Sequence, residues 1–490
     1  MKRALLALII ILAMSLRSAA AGHPGIRRLD GSTITPSEVD ATVTRLMKAA
    51  EVTGLAITIF NDGKVAYQKT YGFRDREKNL LLTPDSVMTA ASLTKVAFGY
   101  MVMQLVDEKL LDLDKPVYEY LPQPLPSYPA YRDLAGDPRY KRITARMLLD
   151  HTAGFPNWRS YNDDRKLNIN FEPGSRYAYS GEGIDLLQFI VETMTGKKVE
   201  DLMQTHVFRP FRMTRTSMLW QERFENDYAN GYDEYGRSLG PARWTRADAA
   251  GSMQTTPRDF ARFLEAVMHG ERLRKITREQ LLSPQIQIFS RRQFPTLVNE
   301  PTDENKPIRL SYGLGWGLYW TPYGKAFFKE GHDEGWRNYG VCFDKQKAGL
   351  LIMANSSNGE GIFKELIETL LRNTFTPIEW EGYTPYDKLP PRPPLTQHKE
   401  VTIDPATLDG LVGRYVFSPD IILVITRGSG THLFVQENSE PRQELVPEAD
   451  KKFFSTTADD EYTFEVDSAG RATRMILHTD GKDIPIKRAD

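Results

Sequence analysis

The stretch with the most chemistry in it is Ser92-Leu93-Thr94-Lys95, which runs into Val96-Ala97-Phe98-Gly99-Tyr100-Met101-Val102-Met103. A serine hydroxyl is a weak nucleophile and needs a nearby base. On the first turn of a helix, residues three apart share a face, which puts the Lys95 amine beside the Ser92 hydroxyl. The helix N-terminus favours negative charge developing there. An ammonium entering an apolar core loses solvation, so its neutral, proton-accepting form gains weight. The alternative is an N-cap serine followed by a surface lysine. The run after Lys95 is apolar on nearly every side, which is the pattern of a buried helix, and that argues against a surface lysine.

Other candidates weigh less. Cys342 is the only cysteine, so no internal disulfide or paired-cysteine zinc site exists, and its apolar neighbours make it a core residue. His332-Asp333-Glu334 lacks the spacing of a helical metal site, so no metal is expected, and no organic cofactor either. His151 reads as a turn-fixing residue. Gly313, Gly315 and Gly317 do not lie between a strand and a helix, as a dinucleotide loop requires. No G-x-S-x-G elbow is present, which argues against an α/β-hydrolase.

Two further segments complete a pattern. Phe171-Glu172-Pro173-Gly174-Ser175-Arg176-Tyr177-Ala178-Tyr179-Ser180-Gly181 is one, and Gly331-His332-Asp333-Glu334-Gly335-Trp336-Arg337-Asn338-Tyr339 is the other. With Ser92-x-x-Lys95 ahead of them, the chain resembles the penicillin-recognising serine hydrolases: class C β-lactamases, D,D-peptidases, D-aminopeptidases and related esterases. The segments 148–154 and 249–259 add to the likeness, which spans about residues 35–375. The resemblance implies that Tyr179 exchanges protons with the nucleophile and leaving group. It implies that His332 lines the site and orients Tyr179 or substrate. It also implies that the N–H groups of Ser92 and Gly335 form the oxyanion hole.

Two positions depart from the family pattern. Gly181 stands where asparagine is common, removing an amide that would hold a substrate carbonyl. Glu334 stands where glycine is usual. Turned into the pocket, its carboxylate would repel β-lactam-like acids and accept an amine; turned away, it would meet solvent or Arg337. The reading is therefore a serine hydrolase acting on a small molecule or short peptide through a Ser92 acyl-enzyme, of esterase or aminopeptidase type. A β-lactamase or D,D-carboxypeptidase is the enzymatic alternative. A catalytically weak binding protein on the same fold is the other.

The elements that must position these groups follow from patterning. Residues 54–60 and 64–73 flank Asn61-Asp62-Gly63 as a β-hairpin. Residues 259–268 and 362–375 read as helices, and 316–320, 325–329, 338–344 and 349–354 as strands. Strands early and late with helices between imply an α+β fold: a β-lactamase-like antiparallel sheet flanked by helices, with a helical insertion. We expect this hydrolase domain to span 30–385. A Pro-rich linker, 386–400, follows as a stiff spacer. Residues 401–490 carry short strand patterns broken by turn residues and resemble a lipocalin-like domain, a meander or partial barrel.

The chain has 490 residues, 11% aromatic, with 63 Lys plus Arg against 64 Asp plus Glu. That length buries a core, that aromatic content excludes a disordered chain, and that balance argues against nucleic acid as partner. Residues 1–21, with Lys2, Arg3, an apolar run and Ala19-Ala20-Ala21, read as a signal peptide. Its removal leaves a formal charge of −4, no later span long enough to cross a bilayer, and a periplasmic or secreted protein. Homo-oligomerisation is left open.

Overall fold

The computed structural model describes residues 25–489 apart from 163, 393, 395–397, 419–420, 429, 438–441, 457–459 and 480. The expected signal peptide lies outside the described residues. Helix α1 (Pro36–Ala49) opens with a capping box in which Thr35 accepts from the Glu38 N–H and Glu38 accepts from the Thr35 N–H. Strands β1 (Gly54–Asn61) and β2 (Lys64–Asp75) then form the expected hairpin. Asp62 and Gly63 both take positive φ, 54° and 72°, which matches the twist of the flanking strands.

The main sheet adds β3 (Leu80–Leu81), β4 (Ile286–Gln287), β5 (Ser311–Tyr312), β6 (Gly317–Thr321), β7 (Gly324–Asp333), β8 (Trp336–Phe343) and β9 (Ala348–Ala354). Its nine strands run in the order β4-β5-β6-β7-β8-β9-β1-β2-β3. Alternate residues feed two separate cores. Leu55, Ile57 and Ile59 of β1 and Leu350 and Ile352 of β9 face one side. Ala56, Leu351 and Met353 face the other.

Helix α1 covers the first face together with a helix late in the chain. The second face is covered by α2 (Leu93–Asp107), α3 (Gly181–Thr195) and α4 (Pro257–His269). Helix α2 buries 13 of its 15 residues, Lys95 among them, as its all-round apolar sequence requires. The late helix, α5 (Phe363–Leu371), is shorter than the 362–375 expected from periodicity. Arg372 turns to φ 61°, and Asn373 spends its side chain on Tyr319 and Thr376 instead of continuing the helix.

The mixed fold and the separate, barrel-like C-terminal β unit follow the sequence pattern, and the barrel is closed where a meander or partial barrel was expected. Strands β10 (Gly413–Ser418), β11 (Ile421–Arg427), β12 (Leu433–Glu437), β13 (Gln443–Ala449), β14 (Lys452–Ser455), β15 (Glu461–Val466), β16 (Ala472–Thr479) and β17 (Lys482–Arg488) form a closed barrel. Closure comes from Tyr415 pairing with Arg488 and Val416 with Lys487, which removes both free edges. The preceding Pro-rich segment is anchored: Arg392 reaches Glu51 at 2.8 Å and Asn358 at 3.2 Å. Among the described residues, no helix is long and apolar enough to cross a membrane.

Candidate active site

Ser92 sits at the entry to α2, directly after Ala91, whose φ of 48° puts it in the left-handed region. Its hydroxyl is not used as a helix cap. Instead the Lys95 Nζ donates to Ser92 Oγ at 3.0 Å, one helical turn on. Lys95 is 1% exposed. Its Nζ also meets the Ala250 carbonyl at 2.5 Å and lies 5.1 Å and 5.9 Å from the ring centres of Tyr179 and Trp158.

Tyr179 lies just before α3, buried, on a segment held by His151. The His151 carbonyl accepts from the Ala178 N–H, and His151 Nδ1 accepts from the Ser180 N–H at 3.3 Å. The imidazole packs 4.6 Å from the Tyr179 ring. Burial, with Lys329 and Lys95 nearby, pushes the His151 pKa well below the usual histidine range, so the ring stays neutral. The Tyr179 hydroxyl meets Lys329 Nζ at 3.3 Å. No hydrogen bond joins Tyr179 to Ser92 or Lys95 among the described residues.

Lys329 is a residue the sequence reading missed. It is fully buried, and its Nζ is 2.5 Å from Glu330, which also accepts from Gln293 at 3.2 Å. Burial works against the Lys329 charge, but the Glu330 carboxylate and Tyr179 outweigh it and hold the amine above the usual lysine range. The signal was present: Lys329-Glu330-Gly331 is a K-x-G triplet immediately before His332.

Strand parity locates the backbone donors. The Asp344 N–H donates to the Lys325 carbonyl, so odd-numbered residues of β7 bond toward β8. The β7–β8 register runs without a bulge from Ala326 to Asp333. Even-numbered residues therefore turn their N–H and C=O to the opposite edge. Pairing with β6 stops at Phe328, which leaves Glu330 and His332 on an open edge. Gly331 brings that edge against the Ser92 loop: a Cβ there would sit 2.5 Å from the Ala90 carbonyl.

Gly335 does not match its expected role. It lies in the β7–β8 turn with φ 75°, and its N–H donates to Ser357 Oγ at 3.0 Å instead of facing the cleft. His332 lines the cleft as expected, but its Nδ1 is 3.2 Å from Glu360, which Arg337 approaches at 2.6 Å, so it does not orient Tyr179. Glu334 is exposed at the hairpin tip and lines the cleft, without an ion pair among the described residues. Desolvation by the surrounding cleft walls first, then Asp333, Asp460, Glu234 and Asp233, push its pKa up to about 7.

Gly181 has no room for a side chain, because the Trp158 ring lies 2.3 Å from where its Cβ would be. A nearby amide comes instead from Asn157, also missed from sequence. Asn157 lines the cleft; its Oδ1 accepts from the Gly181 N–H at 3.0 Å, and its Nδ2 has no partner among the described residues. The cleft is 1720 Å³ and receives Ile421, Glu437, Arg442 and Gln443 from the barrel. Among the described residues, one group has metal-ligand spacing: His398 of the linker with Glu448 and Glu461 of the barrel. Lys452 sits 2.8 Å and 2.9 Å from its two carboxylates and fills the cation position.

A family model described as Beta-lactamase matches residues 39–371. Penicillin-binding protein 4* of Bacillus subtilis (strain 168) is 23% identical over 461 residues, covering 86% of this chain and 92% of that protein. A teichoic acid D-alanine hydrolase of Staphylococcus aureus is 23% identical over 253 residues, covering 49% of this chain and 59% of that protein. The octameric penicillin-binding protein homologue from Pyrococcus abyssi superposes with a TM-score of 0.58 at 20% identity, over 93% of this chain and 100% of that one.

Proposed function

The chain belongs to the Beta-lactamase family, and from that premise we propose that it is an exported serine hydrolase that cleaves a small amine-bearing ester or amide through an acyl-enzyme on Ser92. The observation that carries the reading is the 3.0 Å contact between a buried lysine and an uncapped serine hydroxyl at the mouth of α2. Ser92 Oγ attacks the acyl carbon, and its proton passes to Lys95. The oxyanion is held between the Ser92 N–H and the His332 N–H on the open edge of β7. Tyr179, with Lys329 at its hydroxyl, delivers the proton that the leaving group needs. Water then cleaves the acyl-enzyme.

Substrate orientation falls to Asn157, whose free amide N–H group replaces the side chain missing at Gly181. The unpaired Glu334 carboxylate supports an ammonium on the substrate and disfavours a carboxylate. One relative is named as a D-alanine hydrolase; an alanyl group carries such an ammonium beside its acyl carbon.

Labelling the folded protein with a fluorophosphonate tests the nucleophile. An adduct on Ser92, lost in Ser92→Ala, supports the enzyme, whereas folded protein that takes no label supports the binding-protein reading. Comparing nitrocefin, p-nitrophenyl acetate and D-alanine p-nitroanilide tests the substrate class. Fast nitrocefin turnover would favour a β-lactamase and overturn the Glu334 argument.

A further inference from the structure

Resting on the acyl-enzyme reading, we infer that Glu330 is a specificity-determining residue: it covers the Lys329 ammonium and turns the cleft wall beside Tyr179 against substrates that carry a carboxylate there. Lys329 and Glu330 follow each other on β7, so their side chains start on opposite faces of the strand. They meet because pairing with β6 stops at Phe328 and leaves a free edge to close around. The result is the 2.5 Å contact between Lys329 Nζ and Glu330 Oε1.

A fully buried ammonium 3.3 Å from the Tyr179 hydroxyl is a strong anion site. Here the anion is built in. Burial opposes the Lys329 charge, and Glu330 and Tyr179 hold it. Glu330 lines the cleft and Lys329 does not, so an incoming group meets the carboxylate first. Oε1 of that carboxylate is engaged by Lys329 and by Gln293 Nε2 at 3.2 Å. Oε2 has no partner among the described residues.

Glu330 is also held in place. Gln293 Nε2 lies 3.4 Å from the Tyr177 hydroxyl, and the Gln293 N–H donates to the Trp380 carbonyl at 2.8 Å. Trp380 Nε1 returns a bond to Ser290 Oγ at 3.2 Å. The loop carrying Gln293 is thus stitched to the turn at 377–383, and its next residue, Phe294, packs 5.6 Å from the Tyr179 ring. That turn brings a second carboxyl to the cleft. Glu381 Oε2 accepts from the Tyr339 hydroxyl at 2.9 Å, and Oε1 is buried with no donor among the described residues.

A substrate carboxylate reaches Lys329 only by displacing Glu330, which leaves one carboxylate buried and unpaired, a strongly unfavourable exchange. An N–H or ammonium group faces no such exchange, because it donates to the free Glu330 oxygen. Glu334 acts from the exposed hairpin tip, whereas Glu330 acts at the cation that touches Tyr179. Removing the Glu330 charge converts a wall that rejects an anion into one that binds it.

The test uses the full chain in two measurements. The first compares kcat/KM for p-nitrophenyl acetate and its 3-carboxy derivative, which differ by one carboxylate on the leaving group. Glu330→Gln, which keeps the size and loses the charge, should raise the ratio of carboxylated to plain ester about tenfold or more over the parent. Adding Arg292→Gln should keep that gain, because Lys329 receives the carboxylate and the exposed Arg292 of the cleft does not. Glu379→Gln removes an exposed charge of the 377–383 turn that pairs with Lys364, and should leave the ratio at the parental value. The second measurement needs no turnover: thermal unfolding of Ser92→Ala, with and without Glu330→Gln, in benzoate and in benzylamine. Benzylamine should stabilise Ser92→Ala more than benzoate does, and the order should reverse in the double variant. A Glu330→Gln ratio equal to the parent's, an equal gain in Glu379→Gln, a gain lost with Arg292, or benzoate stabilising Ser92→Ala as well as benzylamine overturns the inference while Ser92 still takes the fluorophosphonate. If Ser92 takes no label in the folded parent, the acyl-enzyme reading falls, and this inference with it.

Discussion

Replacing Gly331 by alanine places a methyl group 2.5 Å from the Ala90 carbonyl and 3.1 Å from Leu93 Cγ. A Cβ and a backbone oxygen need at least 3.0 Å, so β7 or the Ser92 loop must give by about half an ångström or more. The closer contact is with backbone, which cannot swing aside, and overpacking of this kind costs about 1–3 kcal/mol of stability. The catalytic cost is larger, because the displaced strand carries the His332 N–H, the next residue. Losing one oxyanion donor typically lowers kcat by about 100- to 1000-fold. The assay is the rate of Ser92 phosphonylation by a fluorophosphonate alongside ester turnover, with thermal unfolding measured on the same samples. Gly340→Ala on β8 is the control, since its Cβ would meet nothing closer than 3.7 Å. Gly331→Ala with parental turnover and a normal melting curve would refute the placement of the oxyanion hole on β7.

Three further outcomes are expected. Lys329→Met should lower kcat by about 100-fold or more, measured on an amide such as D-alanine p-nitroanilide, because the Tyr179 hydroxyl loses its cationic partner. Glu334 gains its charge as pH rises through about 7, so the KM of D-alanine p-nitroanilide should fall over that window in the parent; in Glu334→Gln that pH step should disappear. Asp150, buried and raised to about 7, binds its proton more tightly folded than unfolded, so it contributes stability below the usual carboxylate range that is lost as pH rises through about 7. Asp150→Asn should therefore raise the melting temperature relative to the parent at pH 8 more than at pH 5.

What could be read from sequence was largely what is local. The Asp62-Gly63 turn, the buried helix after Ser92 and the contact between Ser92 and Lys95 all follow from spacings of a few residues. The groups that reading missed come from tertiary register. The Lys329 partnership with Tyr179 joins residues 150 apart, and it depends on how far β7 extends past β6. The strand pattern stopped at residue 329 because Lys329 and Glu330 look like solvent-facing charges, whereas they neutralise each other inside the fold. Gly335 was chosen by alignment along the chain, but parity across the sheet decides which N–H groups face the cleft. Asn157 was invisible for a similar reason: its amide fills in for a position 24 residues later. Closure of the barrel rests on a pairing between the first and last strands, which no short window contains.

The seam between β1 and β9 has a kinetic consequence. Phe60 pairs with Gly349 and Leu55 with Ala354 in the middle of the main sheet, so the sheet has no complete centre until almost 300 intervening residues have emerged. Contacts this distant are slow to form, because the intervening loop must close before they repay its entropy. A nascent chain thus holds Ser92 and its helix without the β7 edge that packs against the Ser92 loop. On the reading proposed above, Ser92 stays dormant until the far half of the unit arrives.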